Sequence, residues 1–329
     1  MKDIAVLSKA LHADRHFSKN GVSGQEVMRK VFFDAMGVPE GTKGAELLDG
    51  YEKNKIEIFR IISVAVDATM PAILKNQLDG LVNFHNLAAG DTNLFTNKDA
   101  SLFRVARIAA GTQDIRRDNK LGGSYSVQTH WHGVGTYVEF EQFLTGQVDF
   151  NDYIQTVSES YAADMGKRIY KAISESYDKV RAVRKHTGTF DLDELLEIVR
   201  HVKAASGGTQ VTVYGTLTAL NKIARQLDLS ESMKDNLNSQ GFLANVQGMT
   251  LNLLPDVYEP GTEQFAIDDD ALLVIPSGEK IVDVVLEGQA VTRQAEATES
   301  NLLQMDFITL KKFGVHVKQS SIYGFYKLA

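Results

Sequence analysis

The sequence predicts an α+β fold, and three stretches predict it. Residues 151–185 carry apolar side chains at helical spacing over an unusual length. Residues 104–140 read as a long polar two-stranded arm with a charged tip, and residues 188–290 mix helices with short strands. A lone two-stranded ribbon is marginal in water, so such an arm needs a support. In a chain with no evident catalytic kit, the expected support is another copy of the same protein.

From the N-terminus, residues 1–20 scatter Lys2, Lys9, Arg15 and Lys19 among apolar residues and read as an extended arm. Ser23 followed by Glu26 forms a capping-box pattern. Val27, Val31 and Ala35 recur at helical spacing until Gly37 and Pro39 end the helix. A second helix is predicted over 45–62, with Thr69-Met70-Pro71 as a break. Residues 1–95 thus form an N-terminal unit of arm and helices.

Residues 96–148 hold the extended loop and its flanking strands. Arg104 to Ile108 predicts one strand. The tip over 114–123 carries Arg116, Arg117, Asp118 and Lys120 and closes on Gly122-Gly123, which is turn chemistry with a charged crown. Tyr125, Val127, Thr129 and Trp131 alternate with Ser126, Gln128, His130 and His132, the period of two that marks a strand with one apolar face. Gly133 and Gly135 predict a bend or bulge before extended structure resumes over 136–140.

Residues 149–187 form a spine. Asp149 is the predicted cap. Ile154, Val157, Tyr161, Met165, Ile169, Ile173, Tyr177 and Val180 make one apolar stripe. A helix over 151–185 would span roughly 50 Å. Gly166 costs about 1 kcal/mol relative to alanine, and beside Ala162 and Ala163 it predicts a close backbone crossing.

In the unit over 188–290, Asp191 and Glu194 cap a helix carrying Leu192, Leu195, Leu196, Val199 and Val202, which Gly207-Gly208 ends. Val211 to Gly215 is a short buried strand, Thr216 opens a helix, and Ser230 caps another. Strands are predicted at 249–254, 271–275 and 280–286. Residues 291–329 supply returning strands, and Met305 to Lys327, with extended pieces such as Val315 to Lys318, is expected to pair back toward 136–140 and the spine.

The 329 residues suffice for two or three units with real cores. The formal charge of −7 and the absence of a basic block argue against a tight grip on nucleic acid. With no cysteine, disulfides, thiolate nucleophiles and cysteine-ligated metals are excluded. Met1 to Leu7 lacks the apolar core of a signal peptide. The apolar stretch Ile58 to Val66 is far short of the roughly 20 residues a membrane span needs. A cytosolic origin without a membrane partner is expected.

Candidate chemistry is thin. His130 and His132 place two imidazoles on one strand face, a spacing that can ligate a metal, but no third ligand lies nearby in sequence. Asp268-Asp269-Asp270 lacks the spacing of a calcium loop and reads as a solvated turn. Gly207-Gly208-Thr209 follows a helix and precedes a strand, the reverse of a phosphate loop. No catalytic, cofactor-binding or metal residue is assigned, and the chain is read as no enzyme. The crown of Arg116, Arg117, Asp118 and Lys120 has two readings, a solvated turn or a contact with a neighbouring subunit.

The order of these parts resembles the major capsid proteins of tailed phages, the Hong Kong 97-type capsid fold. Gly135 to Ile154 (GTYVEFEQFLTGQVDFNDYI) looks like that family's passage from extended loop (E-loop) into spine helix. Val211 to Leu220 (VTVYGTLTAL) is similar to its axial-domain step from strand to helix. Phe313 to Lys318 and Tyr323 to Tyr326 resemble its closing peripheral-domain strands. The resemblance covers about residues 96–329. It implies a shell protein in hexamers and pentamers around packaged double-stranded DNA, made in the host cytoplasm and located in the virion capsid. Residues 188–290 would be the axial domain and 104–140 the arm over a neighbour, with portal, scaffold or decoration proteins as further partners. The alternative is an encapsulin-type compartment shell enclosing protein cargo. A third reading, a mixed α/β enzyme using His130, His132 and an aspartate, predicts a metal-bound monomer.

Overall fold

The computed structural model describes residues 2–14, 17–19, 22–78, 80–98, 103, 105, 107, 108, 117, 121–139, 141, 142, 145, 150–256, 258, 261–265, 267, 269–295, 304–318 and 321–328. Helix α1 (Lys2–Ala13) replaces the extended arm predicted for the N-terminus. Ile4, Leu7 and Leu11 share one face by their three- and four-residue spacing and pack into the core, while Ser8 Oγ lies 2.6 Å from Thr69 Oγ1. A miniature ribbon, β1 (Ser18–Lys19) and β2 (Val22–Ser23), leads into α2 (Gly24–Met36). The predicted capping box of Ser23 and Glu26 is formed, and Gly37 closes the helix at a positive φ.

Helix α3 (Ala45–Leu78) runs well past the predicted end at 62 and straight through Pro71. Interior proline costs about 3 kcal/mol, yet Met70, Ile73, Leu74 and Leu78 continue the buried stripe of Ile58, Ile61 and Ile62 on the same side. Each such side chain gains roughly 1.5–3 kcal/mol on burial, so packing outweighs the local break.

Four strands form the first large sheet, in the order β3 (Val82–Leu87), β12 (Val282–Gln294), β13 (Gln304–Val317), β6 (His130–Glu139). Between β3 and β6 the chain makes a short antiparallel ribbon of β4 (Phe95–Lys98) and β5 (Leu121–Tyr125). Helices α3 and α4 (Phe150–Glu175) cover one face of the sheet. The stripe of Ile154, Val157, Tyr161, Met165, Ile169 and Ile173 is buried as predicted. Tyr161 Oη donates to the Thr309 carbonyl at 2.5 Å, tying the spine to the sheet. The helix stops at Glu175 rather than 185. Ser176 turns its N–H and its hydroxyl back onto the Ile173 carbonyl, and two single 3₁₀ turns carry the chain past Tyr177 and Val180. Among the described residues no close backbone crossing occurs at Gly166: a Cβ there would meet nothing within 4 Å, and the position borders a small apolar pocket with Leu78, Leu254 and Ile267.

The second large sheet follows the order β7 (Lys185–Gly188), β14 (Gly324–Leu328), β11 (Ala271–Pro276), β8 (Val211–Gly215), β10 (Met249–Leu253), β9 (Asn245–Val246). It packs with α5 (Leu192–Ala205), α6 (Leu217–Arg225) and α7 (Glu231–Gln240) around its own buried cluster. Asp191 and Thr216 cap α5 and α6 as predicted, accepting from the N–H groups of Asp193 and Ala219. Ser230 stands at the N-terminus of α7 without a side-chain cap bond.

The predicted boundary at 290 does not divide the sheets. Residues 282–290 lie in the four-stranded sheet, and 324–328 return to the six-stranded one. Strands β11 and β12 are both apolar runs separated by only 277–281. In sequence they read as neighbours in one unit, whereas the short link is a crossing from sheet to sheet. The expected pairing of the C-terminal segment with this region occurs: residues 304–307 pair with 136–139.

Candidate assembly surface

The root of the arm sits on the face of the four-stranded sheet turned away from α3 and α4. Asp283 stands within the apolar run Ile281 to Leu286, and its side chain is only 1% exposed. It accepts from the Tyr125 hydroxyl, from Asn83 Nδ2 at 3.4 Å and from Lys318 Nζ at 3.2 Å, and His85 Nε2 lies 3.0 Å away. Aromatic rings extend the contact: His85 packs on Phe95 at 4.5 Å, Phe95 on Tyr125 at 5.7 Å, and Tyr125 on His316 at 4.7 Å. Burial alone would raise the Asp283 pKa. The hydrogen bonds from Tyr125 and His85 and the charge of Lys318 outweigh it and hold the carboxyl below its ordinary value. Tyr125 responds in the opposite sense, pushed up by burial and by its bond to Asp283.

Four residues, 126–129, then cross the sheet to reach β6. Val127 is buried, and Asn93 clamps its backbone from both sides, donating to its carbonyl and accepting from its N–H at 3.4 Å. Thr129 Oγ1 donates to Glu287 at 2.5 Å, and Lys312 Nζ binds the same carboxylate at 2.8 Å. The crossing presses so closely on β13 that a Cβ at Gly314 would collide with the Gln128 carbonyl oxygen.

Three predictions about the arm are corrected by this geometry. Its second half is not a free strand: 130–139 is the outer strand of the sheet, and the strand over 121–125 pairs with 95–98. Gly133 and Gly135 make no bulge, since the β6–β13 register is unbroken through them. The alternation also fails at Trp131, which lies on the exposed side of β6 while Val127 is buried in the crossing.

Beyond the root, Phe103, Val105, Arg107, Ile108 and Arg117 are exposed, Val105 at 95%. Of the predicted contact residues, Arg117 is therefore solvent-facing, and Arg116, Asp118 and Lys120 lie outside the described residues. His130 and His132 line an open cleft of about 530 Å³ with Arg168, Lys171 and His316. The His132 ring stacks on Phe313 at 3.8 Å, and burial lowers its pKa, with the Arg168 charge adding to the effect. Among the described residues no group of three or more His, Asp or Glu side chains is placed to hold a metal ion. Asp268 lies outside the described residues; Asp270, in the turn before β11, accepts from the Tyr170 hydroxyl at 3.0 Å.

Sequence reading missed Asp283, and it missed the ion pair of Lys311 with Asp67. Lys311 is 4% exposed and binds Asp67 at 2.6 Å and the Gly288 carbonyl at 2.8 Å, while Asp67 accepts from the Ala290 N–H at 2.8 Å. These groups satisfy the backbone of the bulge between Glu287 and Val291, where Gly288 takes a positive φ. For Asp283 the available signal was a lone charge inside an apolar strand run, which implies a buried partner.

A spine helix laid across a four-stranded sheet, a short antiparallel ribbon docked on the outer face of that sheet and a second sheeted unit match the capsid fold of Hong Kong 97 type. Solved structures bear this out. The satellite phage P4 procapsid, including size determination (Sid) protein, is similar at TM-score 0.52 and 11% identity, over 84% of this chain and 97% of that one. The asymmetric unit of the bacteriophage PhiM1 mature capsid is similar at TM-score 0.51 and 11% identity, over 77% and 86%. At such identities the likeness shows the fold alone. No curated protein matches the chain. A protein-family model described as "SPbeta prophage-derived putative capsid protein YonB" matches residues 25–325. The chain belongs to this YonB family of phage capsid proteins.

Proposed function

We propose that this chain is the major shell subunit of a tailed phage head, with a structural and non-catalytic role. Copies join head to tail into hexamers and pentamers of an icosahedral shell around double-stranded DNA. The observation that carries this reading is the arm: its root is bolted to its own sheet, and Phe103, Val105 and Ile108 beyond the root stay exposed. Exposed apolar side chains clustered on one such segment mark a surface completed by a partner. A heterologous contact of this kind closes into rings when its rotation divides the circle.

In this reading the unit built on the six-stranded sheet surrounds the ring axis as the axial domain, and the four-stranded sheet with α4 is the peripheral domain. The charge of −7 suits a wall that confines DNA without gripping it. Membership of a prophage capsid family favours a phage head over a compartment shell. Electron microscopy of the expressed protein tests the proposal. Closed shells are expected, and a protein that stays monomeric at all concentrations would contradict it.

A further inference from the structure

The net charge of −7 hides one local reversal. Residues 178–186 read Asp-Lys-Val-Arg-Ala-Val-Arg-Lys-His. In sequence they pass for the last turns of the predicted spine, where charge on the outer side of a helix is ordinary, and not for a basic block. The helix stops at Glu175 instead. Single 3₁₀ turns over 177–179 and 182–184 then gather the cations at the bend that leads into β7, an edge strand of the six-stranded sheet. The Arg184 N–H donates to the Arg181 carbonyl at 2.9 Å and closes the second turn. Lys185 turns inward, over the Tyr177 ring at 4.7 Å and toward the Tyr177 carbonyl at 3.4 Å, which fixes the bend.

The other charges of the bend are uncompensated. Lys179 and Arg181 are exposed, and among the described residues Lys179, Arg181 and Arg184 have no carboxylate within ion-pair distance. On the spine, by contrast, Arg168 binds Asp164 at 2.8 Å and Lys171 lies 3.9 Å from Glu175. Arg184 is half-buried, and its Nη1 is buried with no hydrogen-bond partner among the described residues. Burial and the neighbouring Arg181 charge push its pKa down, so the bend works against its own charge as it stands. An anion there would relieve it.

The composition of the bend says which kind of anion. Contacts between proteins are depleted in lysine and rich in aromatic rings, whereas 178–185 offers cations and one exposed large apolar side chain, Val183. The run holds no aromatic residue on which an unpaired base could stack. A row of fixed cations suits instead the row of phosphates on a duplex, one charge per roughly 3.4 Å of each strand. We propose that the bend is a local contact point for the phosphate backbone of double-stranded DNA, held by Lys179, Arg181 and Arg184. This rests on the shell reading above, and it makes the face that carries the bend the inner face of the shell. The wall as a whole stays negative, so contact is confined to this point.

Fluorescence anisotropy of a short labelled DNA duplex, titrated with the full unassembled chain over a range of salt, tests this. Each phosphate contact contributes about −0.9 to the slope of log affinity against log salt, so three contacts predict about −2.7. Lys179→Gln with Arg181→Gln, both at exposed positions, should flatten the slope by about 1.8 and weaken binding to every duplex sequence alike. Arg184→Gln should flatten it by about 0.9, with the melting temperature read alongside as the check of its fold. Lys30→Gln, at an exposed position on α2, should leave the slope unchanged. A double variant that keeps the unmodified slope overturns the proposal, as does an equal flattening by Lys30→Gln or no binding by the unmodified chain at low salt. A double variant that binds DNA normally but no longer assembles assigns the bend to an acidic surface of a second copy, and overturns it too. Microscopy of the unmodified chain is read separately. Absence of shells overturns the shell reading, whereas normal shells with an unchanged slope overturn the DNA contact alone.

Discussion

Tyr125 donates its hydroxyl proton to the buried carboxylate of Asp283, 158 residues further along the chain, and this bond fixes where the arm leaves the body. Removing the hydroxyl leaves the ring in place but takes one donor from a desolvated charge. Loss of one partner of a buried charged group costs about 1–3 kcal/mol. Tyr125→Phe should lower the melting temperature of the isolated subunit without altering its far-ultraviolet circular dichroism. An unchanged melting point would mean that the bond contributes nothing.

The same site sets the acid limit of stability. Asp283 is held below the ordinary aspartate value of 3.8, so its contribution is full above that pH and is lost as pH falls through the folded value. His132 and His316 are held below 6.5, chiefly by burial, so the unfolded chain takes up their protons first. Their contribution is complete above 6.5 and declines as pH falls toward their folded values. Urea denaturation across pH should show two descending steps. Asp283→Asn should diminish the lower one, to which Glu287, held low by its bonds from Lys312 and Thr129, also contributes, and His132→Gln with His316→Gln should diminish the upper one. A single step, or none, would contradict the assignment.

Asp67 and Lys311 join α3 to the bulge in β12. Breaking one half of a buried pair typically costs 3–5 kcal/mol, about what an uncompensated internal charge implies. Asp67→Ala should shift the urea midpoint accordingly. The double change Asp67→Leu with Lys311→Met should recover part of the loss, and a double variant as unstable as the sum of the singles would argue against coupling.

At Gly314 the constraint is steric. Overpacking a close contact costs roughly 1–3 kcal/mol, and the backbone of Gln128 cannot yield as a side-chain tip would. Gly314→Ala should therefore displace the 126–129 crossing and impair assembly more than it impairs folding. Thermal melting and particle yield, measured together, check this.

Periodicity and capping were legible wherever the physics is local. The buried stripe of α4, the Ser23 capping box and the caps at Asp191 and Thr216 all follow from spacings of a few residues. The rest depends on distant partners. Pro71 reads as a break until the packing of Met70 and Leu74 is known, and Val105 and Val127 look alike in sequence although one is exposed and the other buried. The partners of Asp283 and Lys311 stand 158 and 244 residues away, beyond the reach of any local pattern.

The central claim is that the arm is anchored by its own chain and covered by another. Amide hydrogen exchange, measured on isolated subunits and on assembled particles, tests it most directly. Within 130–139 the alternate N–H groups bonded to β13 should exchange slowly in both states. The segment holding Phe103, Val105 and Ile108 should exchange rapidly in the subunit and become protected only in particles. Equal protection of that segment before and after assembly would contradict the account.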